Sequence, residues 1–270
     1  DEARRVFLEY FWDDDAGLCR DAWDVGFTAP EPYRGANANM HGVEAMLSVA
    51  SVTGERDWVD RALRVCRFAV DQARACSWRL PEHYGADWSP LLDFNRAKPD
   101  DQFKPFGATV GHGLEWSRLC LHAEAAAASD DAAWLAEAAV ELFGRAVGDG
   151  WEAGSRPGFV YTTDWSGVPV VRDRLHWVVA EAVNAAAALH RRTGHDYYAA
   201  LYRRFWDNAD QWFIDHEGGS WRHQLAPDNT PADTVWSGKP DIYHAFQAAL
   251  GPRLPLWPML ATAVAEGRLA

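Results

Sequence analysis

Two histidines in this chain are followed three residues later by a glutamate, His41-x-x-Glu44 and His112-x-x-Glu115. On a helix, residues three apart share a face, so each carboxylate can orient its imidazole or hold its charge. His244 occupies the equivalent place near the start of a further predicted helix, and His176 heads another without an acid at the third position. Of the remaining histidines, His83, His216 and His223 fall in loops from which they could reach a pocket rim, whereas His122, His190 and His195 read as outer-face or turn residues. Two or three imidazoles that converge without a metal or a nucleophile are suited to moving protons near neutral pH. One removes a proton from a carbon next to a carbonyl, a second protonates the neighbouring oxygen or carbon, and an imidazolium stabilises the enediol between them.

Other chemistries fit less well. Di-iron carboxylate bundles use Glu-x-x-His with further inward glutamates, but here the order is reversed and the extra glutamates are missing, and no His-Glu-x-x-His occurs, so no metal is expected. Neither Gly-x-Ser-x-Gly nor a phosphate-cradling Gly-rich loop is found. Glycoside hydrolysis by paired acids stays open, because Glu82, Asp87, Asp93 and Asp164 lie in loops that could face a cleft.

The elements that must position these residues are helices. Apolar spacing of three and four predicts helices over Ala3–Phe11, Asn37–Val52, Arg56–Arg74, Gly111–Ala128, Asp131–Val147, Arg172–Arg192, Asp196–Ile214, Pro240–Leu250 and Trp257–Glu266, and no long alternating run argues for a strand. Thr53-Gly54, Ser129-Asp130 and Thr193-Gly194 break the pattern between the members of three helix pairs. Long loops rich in Gly, Pro, Trp and His (Ser77–Ala108, Gly148–Val171 and Glu217–Lys239) join one pair to the next. The first helix of each pair is Ala-rich, as at Ala125–Ala128 and Ala185–Ala188, and suits a crowded inner ring. The second carries a charged face, as at Arg56, Asp60, Arg61, Arg64 and Arg67, and suits an outer ring. This imperfect repeat of hairpins predicts an all-α fold, an α/α barrel in one domain over residues 1–270, with a solenoid as the alternative. The long loops favour a barrel with a pocket. Fifteen Trp, eight Tyr and twelve Phe can fill the core, and some can cover the apolar face of a sugar.

Composition narrows the partners. With 39 acidic against 26 basic residues the net charge is −13, which works against nucleic acid, anionic membranes and polyphosphates and leaves a neutral or cationic small molecule. No apolar run is long enough to span a membrane, the first residues are not a signal peptide, and Cys19, Cys66, Cys76 and Cys120 show no disulfide or zinc spacing. A cytoplasmic protein with reduced thiols is expected.

At three places the chain resembles the N-acylglucosamine 2-epimerase superfamily: Arg34-Gly35-Ala36-Asn37-Ala38-Asn39-Met40-His41, Pro105-Phe106-Gly107-Ala108-Thr109-Val110-Gly111-His112-Gly113-Leu114-Glu115-Trp116, and Lys239-Pro240-Asp241-Ile242-Tyr243-His244. Asp215 to Trp221 and Arg79 to Tyr84 with Asp87-Trp88 also match, so the resemblance runs from about Tyr10 to the end, and its nearest branch is the bacterial mannose isomerases. What it implies is an (α/α)6 barrel and cofactor-free proton transfer on a free sugar through a cis-enediol. His112 and His244 would be the acid/base pair, with Glu115 orienting His112. His41, Asn37, Arg34 and Trp116 would bind substrate, together with Glu82, His176, Trp177 and Lys104. The protein would be a monomer or homodimer. Two departures stand out. The chain lacks the family's first barrel helices, so either it is a truncated form or its barrel is open, and an open barrel would expose inner apolar surface. Lys104 also stands where relatives often carry Arg. The expected reaction is interconversion of mannose and fructose. The alternatives are 2-epimerisation on the same scaffold, a non-catalytic sugar- or partner-binding barrel, and a glycoside-processing barrel.

Overall fold

The computed structural model describes residues 1–153, 156–240 and 242–269. Asp241 of the third motif, Gly154 and Ser155 of the second long loop, and Ala270 lie outside the described residues.

The chain opens with α1 (Glu2–Val6), which runs into a wider π turn over Phe7–Phe11, and with a small ribbon of β1 (Trp12–Asp13) and β2 (Leu18–Cys19). Three helical hairpins follow. β3 (Arg34–Gly35) leads into α2 (Ala36–Thr53), which pairs with α3 (Arg56–Ala75); β4 (His83–Tyr84) lies in the loop beyond. β5 (Ala108–Thr109) leads into α4 (Val110–Ala127), which pairs with α5 (Trp134–Gly150); β6 (Thr162–Thr163) and β7 (Pro169–Val171) lie in the next loop. β8 (Arg174–Leu175) leads into α6 (His176–Thr193), which pairs with α7 (Asp196–Asn208); β9 (Gln224–Leu225) and β10 (Pro231–Ala232) come after it. Two shorter helices, α8 (Tyr243–Leu250) and α9 (Leu260–Ala265), end the described chain.

The first helices of the hairpins pack side by side, with α4 between α2 and α6 and with α8 against α6, while α3, α5 and α7 cover them from outside. Burial follows this layering. In α4, 13 of 18 residues are buried, as a helix with neighbours on every side requires. In α3 the buried set is Trp58, Val59, Ala62, Val65, Cys66, Ala69, Val70 and Ala73, one stripe at three- and four-residue spacing, with Arg56, Asp60, Arg64 and Arg67 on the exposed side. Two of the three hairpin turns use a left-handed glycine just past the inner helix: Gly54 (φ 73°) donates to Ala50 O, and Gly194 (φ 71°) to His190 O. The middle turn puts Ala128 in the same conformation (φ 49°), where a Cβ is unfavourable.

The expected helix starts move at four places: α5 begins at Trp134 rather than Asp131, after a 3-10 turn over Asp130–Ala132, α6 at His176 rather than Arg172, α8 at Tyr243 and α9 at Leu260. Arg174 and Leu175 are drawn into a strand instead, because their backbone pairs with Leu225 and Gln224. Strands are thus present, each two or three residues long, too short to leave an alternating pattern. Their placement is regular. A strand immediately before the inner helix of each hairpin pairs antiparallel with a loop strand: β3 with β4, β5 with β6, and β8 with β9. These ribbons fold the long loops back over the inner-helix N-termini, where the histidines stand.

Among the described residues there are four such inner helices, and α8 reaches α2 through side chains. The Tyr243 hydroxyl donates to Glu44 and Gln247 Nε2 reaches Glu44 Oε1 at 3.3 Å, while just before α9 the Met259 backbone N–H donates to Ser51 Oγ at 3.1 Å. Between α2, α4, α6 and α8 a hollow of about 500 Å³ remains, bounded by residues 251–261. On this open side Ile242 is 77% and Phe246 51% exposed.

Candidate active site

A cleft of about 240 Å³ lies where the N-terminal ends of the inner helices meet the loop ribbons. α2 brings Asn37 and His41 to it, α4 brings His112 and Glu115, α6 brings His176 and Trp177, and α8 brings His244. The loops add Glu82, His83, Tyr161, His223 and Trp236.

Two of the imidazoles are anchored alike. His112 Nδ1 is 2.8 Å from Glu82 Oε2, and His244 Nδ1 is 3.1 Å from Glu181 Oε1. A carboxylate accepts the Nδ1 proton, which leaves Nε2 of each neutral ring with a lone pair free to take another. The indole of Trp177 stands against both, with centroids 5.2 Å from His112 and 5.7 Å from His244. That indole fits only because residue 111 is glycine, since a Cβ there would lie 2.2 Å from its Cζ3. His41 is more open, its side chain 44% exposed and its Nδ1 3.7 Å from Glu44 Oε2.

Behind the histidines sits a buried charge network. Arg118 Nε donates to Glu181 Oε2 at 3.0 Å, and its terminal nitrogens reach Glu44 at 3.4 Å and Glu115 at 3.5 Å. Burial alone would raise the carboxyl pKa of both Glu44 and Glu181. Hydrogen bonds from His41 and Tyr243 together with Arg118 bring Glu44 below the usual range, and Arg118 with His244 does the same for Glu181. Glu115 is pushed well above it by burial first and then by the negative Glu181. Burial favours the neutral form of His112, yet the charge and hydrogen bond of Glu82, with Glu115 adding, outweigh this and raise its pKa. The ligand atoms of His41, Glu44 and Glu115 lie within 4.8 Å of one another, as a metal site would need, but Arg118 already supplies positive charge to both carboxylates.

Several expected site residues stand elsewhere. Trp116 is in the core at 1% exposure, because it points from α4 away from the cleft. Arg34 is buried, donates to the carbonyls of Glu31 and Tyr33 and lies over Trp88, so it braces the loop before α2. Lys104 lies behind the cleft wall, 3.8 Å from the Tyr33 ring centroid. Glu115 lines the cleft but faces Arg118, and the hydrogen bond expected from it to His112 comes from Glu82 instead. His122 is not an outer-face residue. It borders the inner hollow, and burial with the nearby Arg118 charge pushes its pKa down to about 4. His216 bonds Asp210 O away from the cleft, while His83 and His223 do reach it. Of the loop acids, only Glu82 faces the cleft. Asp87 and Asp164 cap their own turns and Asp93 pairs with Arg96, so no pair for glycoside hydrolysis forms.

Glu181 and Arg118 escaped the sequence reading. Their signal was charge inside an otherwise apolar helix, Glu181 alone within Val178–Leu189 and Arg118 with Glu115 within Leu114–Leu121, where burial demands a partner.

The sequence profile of the N-acylglucosamine 2-epimerase family matches residues 1–248. The chain is 49% identical over 267 residues to a D-mannose isomerase of Thermobifida fusca, which covers 98% of this chain and 65% of the relative. It is 48% identical over 265 residues to one of Pseudomonas cannabina pv. alisalensis, covering 97% and 64%. It therefore spans just under two thirds of the length of these curated relatives. A crystal structure of a D-mannose isomerase superposes with a TM-score of 0.85 at 29% identity, over 92% of this chain and 63% of that one. A matching profile over most of its length, close relatives and a shared α/α-barrel fold place the chain in the N-acylglucosamine 2-epimerase family.

Proposed function

We propose that this chain carries the active site of an aldose–ketose isomerase that interconverts D-mannose and D-fructose, or a related free sugar, without a cofactor. One observation carries the reading: His112 and His244 open onto one cleft, each with Nδ1 held by a carboxylate and both against Trp177. One Nε2 takes the proton from C2 of the open-chain aldose while the other imidazole gives a proton to O1. The resulting cis-enediol loses its O2 proton and gains one at C1, which leaves the ketose. Glu82 and Glu181 hold the imidazolium formed on the way. Trp177 and Trp236 offer apolar faces to the sugar's C–H groups. The D-mannose isomerases to which the chain is similar favour mannose as substrate. The free thiols fit a cytoplasmic setting, and a monomer or homodimer suffices because every group named here comes from one chain.

The test is NMR of mannose in deuterated buffer. Fructose is expected to appear, and His112→Ala or His244→Ala to slow it by roughly 10²- to 10⁴-fold. Glucose as the main product would make the reaction a 2-epimerisation through the same enediol. Undiminished turnover in both variants would refute the acid/base pair.

A further inference from the structure

Phe103 lines the histidine cleft and is 74% exposed, more than any other aromatic residue described. Its ring meets Trp236 at 84°, with centroids 5.4 Å apart, one of the arrangements that aromatic pairs prefer. The two rings come from different loops, Phe103 from Ser77–Ala108 and Trp236 from Glu217–Lys239, and meet at the solvent end of the cleft. From there a row of rings leads inward. Trp236 lies 5.1 Å from His223, His223 5.0 Å from His176, and His176 6.0 Å from His244.

Both outer rings are held by their backbones. Asp101 Oδ1 accepts from the N–H groups of Phe103 at 3.1 Å and Lys104 at 3.0 Å, which fixes the turn that carries Phe103. Gln224, 1% exposed, accepts with Oε1 from the N–H groups of Val235 at 2.9 Å and Trp236 at 2.8 Å. Its Nε2 donates to Asp173 Oδ1 at 2.9 Å and to Thr234 Oγ1 at 2.7 Å, so a buried amide ties down the segment before Trp236. Phe103 is thus held out over the cleft without contributing to the core.

We propose that Phe103 and Trp236 form a clasp across the outer end of the cleft that sets substrate size. It admits a free monosaccharide and excludes a sugar that carries a second ring at its far end. A hexose with C1 and C2 between His112 and His244 points its C4 end outward along the row of rings. A second ring on O4 would need the space where Phe103 meets Trp236. The discrimination is a clash built against the larger sugar, not a contact made to the smaller one. The cleft volume agrees: about 240 Å³ is below the roughly 300–1,000 Å³ of pockets that take drug-sized ligands. The assignment rests on the sugar cleft proposed above.

The test compares D-mannose with 4-O-β-D-mannopyranosyl-D-mannose, which has the same reducing end, in the wild-type chain, Phe103→Ala and Phe103→Tyr. The readout is the ratio of kcat/KM for the disaccharide to that for mannose, in which any change common to both sugars cancels. The wild-type chain is expected to favour mannose strongly. Phe103→Ala should raise the ratio by about 10- to 100-fold, the range that a change of pocket size commands, while Phe103→Tyr, which keeps the ring, leaves it as it was. Because Phe103 is exposed, its replacement leaves the core packed. A wild-type chain that turns over both sugars equally well, or a ratio unmoved in Phe103→Ala, overturns the clasp. No turnover of either sugar in any of the three proteins would sink the isomerase reading, and calorimetry then decides this one. Disaccharide binding by Phe103→Ala alone supports the clasp; equal binding by wild type and Phe103→Ala, or by neither, overturns it.

Discussion

Replacing Glu82 by Gln tests the electrostatics of the site most directly. The carboxylate lies 2.8 Å from His112 Nδ1, its side chain is 4% exposed, and it supplies most of what holds the His112 pKa above its ordinary value against the pull of burial. A carboxamide keeps an oxygen that can accept the Nδ1 proton, so the tautomer survives and only the charge is lost. A hydrogen bond to a charged group contributes about 1.5–3 kcal/mol and a neutral one about 0.5–1.5, a difference of roughly 1–1.5 kcal/mol. At 1.36 kcal/mol per unit, the His112 pKa should fall by about one unit. Because that pKa is raised in the folded enzyme, the acid limb of kcat/KM should lie above the ordinary imidazole value and shift down by about one unit in Glu82→Gln. Above both values His112 is neutral in either protein. The weaker base then turns over roughly threefold more slowly if half the lost basicity is felt in the transition state. The assay is the pH profile of mannose turnover, alongside an NMR titration of the His112 ring. An acid limb that stays put or moves upward would refute the argument that Glu82 tunes this imidazole.

Three further outcomes follow from the same geometry. Arg118→Met strips the shared cation from Glu44 and Glu181 and should destabilise the fold by about 3–5 kcal/mol in urea unfolding. Gly111→Ala places a methyl 2.2 Å from the Trp177 ring, so it should displace the indole, cost about 1–3 kcal/mol and depress turnover, readable from Trp fluorescence and rate together. Ala128→Gly relieves a left-handed residue in the middle hairpin turn and should stabilise by about 1 kcal/mol with activity unchanged, measured by chemical denaturation.

Much of the architecture was already written in the chain. Three-and-four spacing placed nearly every helix, the Thr-Gly turns marked two of the hairpins, and the positions of His41, His112 and His244 near inner-helix starts pointed to one shared cleft. These are local signals: periodicity says which side of a helix is buried, and a left-handed glycine says where the helix stops. Partner choice is not local. The i+3 rule paired His112 with Glu115, but Glu115 is drawn to Arg118. The Nδ1 proton is taken by Glu82, 30 residues earlier, carried to the cleft on the loop that β4 ties to β3. Arg118 and Glu181 meet across 63 residues, and Trp116 and Trp177 begin as equally plausible sugar platforms until packing buries one and exposes the other to the cleft. Sequence therefore determined the helices and put the imidazoles at their ends. Only the folded chain decided which carboxylate holds each ring, because that depends on which distant charges share a dry interior and must neutralise one another there.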